Sequence, residues 1–388
     1  MEFKRVLSRT KTFFFQERHM HPIRFIQAAN HHLDAAFSGL SRDIPAEFAE
    51  RLRTATFTAF RRLLDLCERA SPDFLLLAGD VYNQEDASVS AQLALRDGFR
   101  RLESLSIPVF LVHGNHDPLA SRLRSVRWPG NVTVFGELPD AVPVFRKGEE
   151  TPLAIIHGAS HASGRETRNL AALFRRTEAC GLHVGLLHAT PGDADGVARY
   201  APFSQEDLKA SGMDYWALGH IHDRREVCRE PLAAYPGCTQ GLHINEPGEK
   251  GCLLVTAEAR PDGGYAVRTS FRPLGPAVWK TLDMDLGGAA SLDELENRLR
   301  TGLDRAAAEV WSGCEMLLVR LRLQGRTELD GLLRKGTTCA ELADRLREDG
   351  SGVPRIWIKD IDVATRPCVE RGALLEREIS GTPLISVG

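Results

Sequence analysis

Short apolar runs alternate along the first part of the chain with longer segments in which apolar residues recur at every third or fourth position. This alternation predicts strands separated by helices, because a strand buried on both faces is a continuous apolar run whereas a helix needs one apolar face. The order strand, helix, strand, helix, strand predicts an α/β layer. The elements predicted here are strands at 24–29, 74–78 and 109–112 and helices at 46–70 and 86–105.

Beyond residue 130 the pattern becomes richer in strands. The stretch 224–274 is predicted to be mainly β-structure and to complete a second sheet, which gives a two-sheet β-sandwich flanked by helices. Further strands are predicted at 131–135, 153–157, 183–188 and 214–218, and further helices at 167–177 and 204–210.

A segment rich in proline and glycine at 272–276 predicts a domain boundary, which divides the chain into domains 21–275 and 276–388. The second domain is predicted to be a small α+β module. Its predicted strands lie at 278–284, 315–322 and 354–361, and its helices at 291–309 and 338–348. Residues 1–20 contain a basic and aromatic stretch too short for a signal peptide, and we expect them to be a disordered or mis-assigned extension.

Composition narrows the class of protein. The 388 residues are 43% hydrophobic and 26% charged, and no apolar run approaches the roughly 18 residues of a membrane-spanning helix. With a formal net charge of −3, contact with nucleic acid depends on local basic patches. The eight cysteines form no Cys-x-x-Cys pair, which favours reduced thiols and a cytoplasmic location.

Histidine is confined to the first domain, since all 13 histidines lie at or before His243. Histidine is the commonest metal ligand and acid-base group, so the chemistry is predicted to belong to this domain, with the second domain as a cap or docking module. Five short polar blocks follow predicted strands, where open α/β sheets bind their ligands. The blocks are Asn30-His31-His32, Gly79-Asp80, Gly114-Asn115-His116-Asp117, His188 and Gly219-His220-Ile221-His222.

Together these blocks have the chemistry of a two-metal phosphoesterase site, although Gly79-Asp80 alone is also typical of a turn and His188 alone of a packed core residue. Asp80 is the natural carboxylate to bridge two cations, and Asn115 offers a carbonyl oxygen. Nitrogen and oxygen ligands with few thiolates suit manganese, iron or zinc. His116 is predicted to be a general acid oriented by Asp117. The predicted imidazole ligands are His32, His188, His220 and His222.

With their flanking residues, the blocks resemble the calcineurin-like metallophosphoesterase superfamily, and within it the YhaO-type bacterial DNA repair exonucleases related to SbcD. The resemblance implies a two-layered β-sandwich with a capping domain, two divalent metal ions, expected to be Mn²⁺, and hydrolysis of DNA phosphodiester bonds by a metal-bound hydroxide. It also implies a coiled-coil ATPase of the SMC-like type as partner, and it is compatible with a homodimer. The similarity covers about 22–275, and its most specific segments are 25–34, 214–222 and 235–241.

By this resemblance, one metal is held by Asn30, His32, Asp80 and His222, and the other by Asp80, Asn115, His188 and His220. His116 then assists departure of the 3′ oxygen. The family pattern in the first block is Asp-x-His, whereas this chain has Asn30. Losing a carboxylate is expected to weaken one metal, because unlike charges a few ångströms apart interact by several kcal/mol, about 4 at an effective dielectric of 20.

Two arginine groups are candidates for DNA contact, since arginine beside an aromatic ring binds phosphates and stacks on bases, although such runs are also typical of a solvated helix face. They are Arg122, Arg124 and Arg127 beside Trp128, and Arg165, Arg168, Arg175 and Arg176. Tyr215 and Trp216 are predicted to be core residues.

Three functions stay open from the sequence. The first is an active DNA nuclease in DNA repair. The second is a catalytically impaired subunit that binds DNA ends and docks an ATPase, and the third is a phosphodiesterase for small nucleotides or phosphoproteins.

Overall fold

A computed structural model of the chain describes residues 21–40, 44–83, 88–121, 126–194, 198–261, 263–348 and 352–368. The extension predicted at 1–20 lies outside these residues. The chain forms two compact units, and the boundary between them falls between Pro276 and Ala277. Within the described ranges, no helix is both long enough and apolar enough to cross a membrane. All eight cysteines are unpaired.

The N-terminal unit contains two mixed sheets of six strands each. In spatial order, the first sheet consists of β12 (Tyr265–Pro273), β11 (Gly251–Ala259), β1 (Ile23–Ala28), β2 (Phe74–Ala78), β3 (Val109–Val112) and β4 (Val132–Val134). Strands β1 to β4 are parallel, and β11 runs antiparallel to both β1 and β12.

The second sheet consists of β5 (Asp140–Val144), β6 (Ala154–Ala159), β7 (Leu182–His188), β8 (Tyr215–Gly219), β10 (Leu232–Tyr235) and β9 (Arg225–Arg229). Its four central strands, β6, β7, β8 and β10, are parallel, whereas the two edge strands run antiparallel to their neighbours. The carboxyl ends of the four central strands therefore lie at one edge of the sheet. The short edge strand β5 was not predicted from the sequence.

The two sheets pack face to face around a buried aromatic cluster. The rings of Phe25 and Phe74 stack with centroids 4.7 Å apart, and Tyr215 from the other sheet meets Phe25 edge-on at 5.5 Å. Fully buried side chains from both sheets contribute to this core, including Val112, Ile156, Val184 and Leu186. The predicted two-sheet sandwich flanked by helices is thereby confirmed, as is the core position of Tyr215 and Trp216.

Helices cover the outer faces of the sandwich. Helices α1 (Ala46–Arg53), α2 (Ala55–Ala70), α3 (Val89–Ser104) and α4 (Gln205–Ala210) belong to this unit. Phe60, Leu63 and Phe99 of α2 and α3 pack on the outer face of the first sheet. The single helix predicted over 46–70 is interrupted at Thr54, whose hydroxyl donates to the carbonyl oxygen of Glu50 at 3.1 Å. Such a side-chain bond competes with helix propagation.

The helix predicted at 167–177 was wrong. The structure has only a short 3₁₀ turn, Ala171–Leu173, followed by extended backbone at Phe174. The Phe174 ring lies 4.8 Å from that of Trp216, and the Asn169 side chain accepts a hydrogen bond from the Ala172 amide. Burial of the aromatic ring and a local side-chain bond therefore override the helical spacing of this segment.

The C-terminal unit contains a parallel sheet of three strands in the order β13 (Ala277–Asp285), β14 (Met316–Gln324) and β16 (Arg355–Val363). Helices α5 (Leu292–Glu309), α6 (Asp330–Leu333) and α7 (Thr338–Glu348) and a two-stranded pair, β15 (Arg326–Thr327) and β17 (Arg366–Pro367), complete it. Leu295 and Leu299 of α5 and Leu321 of β14 belong to one buried hydrophobic core. The predicted α+β module is thus built from parallel strands joined by helices.

Candidate metal centre

All five polar blocks stand at the carboxyl ends of parallel strands. Strands β1, β2 and β3 of the first sheet and β7 and β8 of the second lead into them. Because both sheets present this edge to the same place, side chains far apart in sequence are brought together.

Backbone geometry at this edge is unusually tight. A Cβ at Gly219 would lie 1.7 Å from the carbonyl oxygen of Ala78, so only glycine allows the two sheets to approach this closely. Four non-glycine residues of the blocks, Asn30, His32, Asp80 and His220, have positive φ, at 51°, 41°, 51° and 103°. Strained backbone of this kind clusters at functional sites, where the surrounding structure enforces it.

Two imidazoles face each other at the first metal position. Nδ1 of His32 lies 2.6 Å from Asn83 Oδ1, and Nδ1 of His222 lies 2.5 Å from Glu246 Oε1. Both partners are acceptors, which assigns a proton to each Nδ1 and turns each Nε2 toward the site. The two Nε2 atoms are only 3.1 Å apart. Two imidazole nitrogens that converge in this way fit a shared metal ion.

A second set of metal-ligand atoms converges beside the His32 and His222 pair. Nδ1 of His188 donates to the carbonyl oxygen of Ala78 at 2.9 Å, which turns Nε2 toward the site. That Nε2 lies 3.1 Å from Asn115 Oδ1 and 3.2 Å from Asp80 Oδ2. His220 completes the set, since a donor atom of its ring lies within 4.8 Å of those of Asp80 and His188.

Asp80 is common to both sets. Its Oδ2 lies 3.9 Å from His32 Nε2 and 3.2 Å from His188 Nε2, so one carboxylate oxygen borders both positions. Its Oδ1 accepts from the backbone N–H of His116 at 2.9 Å, which fixes the carboxylate orientation. The donor types, imidazole nitrogens with carboxylate and amide oxygens, fit two divalent cations.

Burial prepares most of these groups for metal binding. It lowers the pKa of His32 to about 4 and that of His220 to about 3, so both rings are neutral ligands near neutral pH. His188 differs: burial lowers its pKa, but the Asp80 carboxylate raises it further, and the net shift is upward. The same proximity leaves the pKa of Asp80 well below its usual range, although burial opposes this.

The amide of Asn30 is engaged with the backbone at both ends. Its Nδ2 donates to the carbonyl oxygens of Ile221 at 3.1 Å and Gly237 at 3.2 Å. Its Oδ1 accepts from the His220 amide at 3.1 Å, which leaves one lone pair for a cation. As a metal ligand Asn30 is therefore at best a weak one. Its larger contribution is to hold the segment that carries His220 and His222.

His116 and Asp117 do not form the predicted pair. Asp117 is fully buried, and its carboxylate accepts hydrogen bonds from the backbone amides of Asp80, Val81 and Gly114. Within the described part of the chain, none of these bonds involves the His116 ring. The Asp117 carboxylate contacts a different histidine, His113, whose Nδ1 lies 3.4 Å from Asp117 Oδ2, so Asp117 organises the backbone instead of orienting His116. The His116 ring is exposed, and its centroid lies 5.1 Å from that of His32 at the rim of the centre.

Two residues near the centre were missed by the sequence reasoning. Asn83 and Glu246 hold the Nδ1 atoms of His32 and His222, and neither stands directly after a strand in one of the blocks. Burial opposes ionisation of Glu246, but its hydrogen bond with His222 lowers the pKa to about 2. A polar residue three positions after Asp80 was a weak signal for Asn83, whereas nothing in the sequence pointed to Glu246.

The predicted arginine groups receive little structural support. Arg127 is exposed, but the Trp128 ring packs 5.4 Å from Phe99 in the core, so it is not a free stacking surface. Arg122 and Arg124 lie outside the described residues. In the second group, three of the four arginines bind acceptors of the protein itself: Arg168 pairs with Glu166, Arg175 donates to the carbonyl oxygen of Ala172, and Arg176 pairs with Asp214.

Comparison with known proteins matches two family models to this chain. Residues 23–224 match the calcineurin-like phosphoesterases, and residues 279–366 match the family described as metallophosphoesterase YhaO, middle domain. The chain is 35% identical over 348 residues to a protein of Bacillus subtilis (strain 168) named "Uncharacterized metallophosphoesterase YhaO", an alignment that covers 88% of this chain and 82% of that protein.

More distant relatives carry the name "DNA double-strand break repair protein Mre11". That of Aeropyrum pernix is 26% identical over 74% of this chain and 69% of its own length. That of Haloferax volcanii is 24% identical over 81% of this chain and 68% of its own. Among solved structures, that of the Thermus thermophilus protein TT1561 covers 65% of this chain and 99% of its own, with a TM-score of 0.37 and 14% identity.

Proposed function

This chain belongs to the YhaO family of calcineurin-like metallophosphoesterases, which is related to the Mre11 nucleases, and on that premise we propose that it hydrolyses phosphodiester bonds in DNA. The observation that supports a hydrolytic role is the position of Asp80. One oxygen of its carboxylate borders two sets of converging imidazole and amide acceptors, as a dinuclear phosphoesterase site requires. The choice of DNA rests on the relatives named for double-strand break repair.

The residues of the site would have two roles, metal binding and proton donation. When bound, two divalent cations, which we take to be Mn²⁺, offset the negative charge that builds up on the phosphate during hydrolysis. Asp80 would be shared by both ions, His32 and His222 would hold one of them, and His188, His220 and Asn115 would hold the other. His116 would donate a proton to the departing 3′ oxygen, a role supported by the position of this exposed residue beside the His32 ring.

We further propose that the chain works in the cytoplasm with a coiled-coil ATPase. The partner rests on the resemblance of the sequence, and the location on the eight unpaired cysteines. The C-terminal unit, which matches the YhaO middle-domain model, is the candidate docking module.

Substrate class is tested by comparing turnover of one preparation on three substrates with Mn²⁺ present. Linear duplex DNA, a cyclic mononucleotide and a phosphopeptide contain the three phosphate esters in question. We expect DNA to be cleaved with the highest kcat/KM. Faster turnover of the cyclic nucleotide or the phosphopeptide would contradict the choice of DNA while leaving the hydrolytic centre intact.

The engaged amide of Asn30 favours a second candidate, a DNA-end-binding subunit with weakened catalysis. Asparagine brings no negative charge, and only one lone pair of its oxygen is available to a cation. Such a subunit would bind DNA ends with Mn²⁺ but would cleave them far more slowly than a variant with a carboxylate at this position.

Substitution Asn30→Asp is expected to separate the structural and electrostatic contributions of this residue. Without metal, a carboxylate would face the carbonyl oxygens of Ile221 and Gly237, and the loss of two donated bonds should cost about 2–4 kcal/mol. With Mn²⁺, the added charge should tighten one ion and recover part of the loss. Thermal unfolding in EDTA and in Mn²⁺ measures both effects.

Asn131→Asp is the matched control, because Asn131 Nδ2 also donates to two carbonyl oxygens, those of Phe99 and Ile107. It should destabilise the protein equally with and without Mn²⁺. An Asn30→Asp variant as stable as the parent in EDTA would show that the amide bonds are unimportant.

A further inference from the structure

We propose that Glu246 is a positioning residue of the metal centre, which fixes the His222 imidazole for the first cation and supplies a negative charge that Asn30 does not. The inference rests on the metal centre and not on the choice of DNA as substrate. No resemblance or comparison assigns a role to this residue.

Both oxygens of Glu246 are engaged in ways that fix its position. Oε1 accepts from Nδ1 of His222 at 2.5 Å, and Oε2 accepts from the Leu242 amide at 2.7 Å. The backbone amide of Glu246 in turn donates to the carbonyl oxygen of His243 at 2.8 Å, which closes a tight turn. The carboxylate is thus held by its own loop and presents one oxygen to the imidazole.

The consequence for His222 is a single ring orientation and a single tautomer. With its proton on Nδ1, the ring directs Nε2 toward His32 Nε2, 3.1 Å away. A carboxylate that accepts from the outer nitrogen of a metal-binding imidazole makes that imidazole a more basic ligand. The carboxylate therefore acts on the cation through the ring.

The same segment also binds the backbone of His222. The carbonyl oxygen of His222 accepts hydrogen bonds from the Cys238 amide at 3.2 Å and from Lys250 Nζ at 3.3 Å. Lys250 is itself buried and also contacts Asp223 at 3.3 Å. Segment 237–250 thus encloses one metal ligand with hydrogen bonds to both its ring and its backbone, which is what a positioning role requires.

Charge explains why this carboxylate matters in this chain. Among the described residues, the Asp80 carboxylate lies against both ligand sets and would be shared by two cations, whereas Asn30 is neutral. Glu246 adds a negative charge one imidazole away from the first cation position, where Asp80 is the other carboxylate in contact with the ligands. It would partly offset the missing carboxylate without displacing the Asn30 amide from its three backbone bonds.

The test is Mn²⁺ titration of the purified full chain, followed by the electron paramagnetic resonance signal of the free ion. The variants are Glu246→Gln and Glu246→Ala, and Glu206→Gln on the exposed surface of α4 is the matched control. We expect every variant to bind two ions. Compared with the parent chain, both Glu246 variants should bind one of these ions roughly 10–100-fold more weakly, whereas the control should bind both with unchanged affinity.

If Glu246 had only a structural role, its replacement would lower the unfolding temperature of the metal-free protein and the affinity for both ions together. That result would overturn the proposal. So would unchanged affinity for both ions. Because Cys238 also lies near His222 and Glu246, a third arm uses Co²⁺. A thiolate charge-transfer band that disappears in Cys238→Ser would show a separate metal site there and would likewise overturn the positioning role.

Discussion

Replacement of Asp80 by asparagine is expected to abolish hydrolysis and to weaken the binding of both cations. Substitution of any other single metal ligand should weaken mainly the binding of one cation. The reason is the shared oxygen, which lies 3.9 Å from His32 Nε2 and 3.2 Å from His188 Nε2. Two unit charges about 4 Å apart interact by about 4 kcal/mol at an effective dielectric of 20, and a divalent ion doubles this, so the affinity for each ion should fall by about a thousandfold or more.

Mn²⁺ titration together with hydrolysis of a chromogenic phosphodiester measures this effect. The neutral replacement is nearly isosteric, and its Oδ1 can still accept from the His116 amide, so the fold should be preserved. Asp97→Asn on the exposed surface of α3 is the control, since Asp97 pairs with Arg96 and Arg100 of the same helix, away from the ligand blocks. Two ions bound at parental affinity in Asp80→Asn would refute the shared-carboxylate arrangement.

Removal of the His116 imidazole should have the opposite signature, a large loss of turnover with metal binding unchanged. The ring is exposed at the rim of the centre and belongs to neither acceptor set, so His116→Ala should leave both cations in place. Loss of a positioned general acid lowers kcat by about 10²–10⁴-fold. Steady-state kinetics combined with Mn²⁺ titration of the same samples checks both halves.

Leaving-group dependence sharpens this test. A p-nitrophenolate leaving group needs little protonation, whereas the 3′ oxygen of a nucleotide does, so His116→Ala should lose less activity on a p-nitrophenyl ester than on DNA. His21→Ala, an exposed histidine outside the blocks, is the control. Equal losses on both substrates, or weaker metal binding, would assign His116 a role other than general acid.

Most of the centre could be predicted from sequence because each ligand block directly follows a continuous apolar run. Strands buried on both faces are recognisable from such runs, and parallel strands bring their ends to one edge. Asp80 and His188 illustrate this: they are far apart in sequence, yet the structure places them 3.2 Å apart. The resemblance to a family added the pairing of ligands with each metal, which spacing alone could not supply.

What could not be predicted depends on contacts between distant segments. Adjacency of His116 and Asp117 suggested a pair, yet the Asp117 carboxylate binds amides at 80, 81 and 114 instead. Glu246 reaches His222 from a loop 24 positions later, without a strand to mark it. The apolar residues of segment 167–177 have helical spacing, but the packing of Phe174 on Trp216 keeps the backbone extended after a short 3₁₀ turn. Local pattern contains no information about these contacts.

Hydrolysis of DNA at the dinuclear centre is best tested by degradation of end-labelled linear duplex DNA. The parent chain and Asp80→Asn are assayed side by side in Mn²⁺ and in EDTA. We expect the parent to degrade DNA in Mn²⁺ and not in EDTA, and Asp80→Asn to degrade it in neither. A parent that binds two Mn²⁺ ions yet leaves the DNA intact, or cleavage that survives Asp80→Asn, would contradict this expectation.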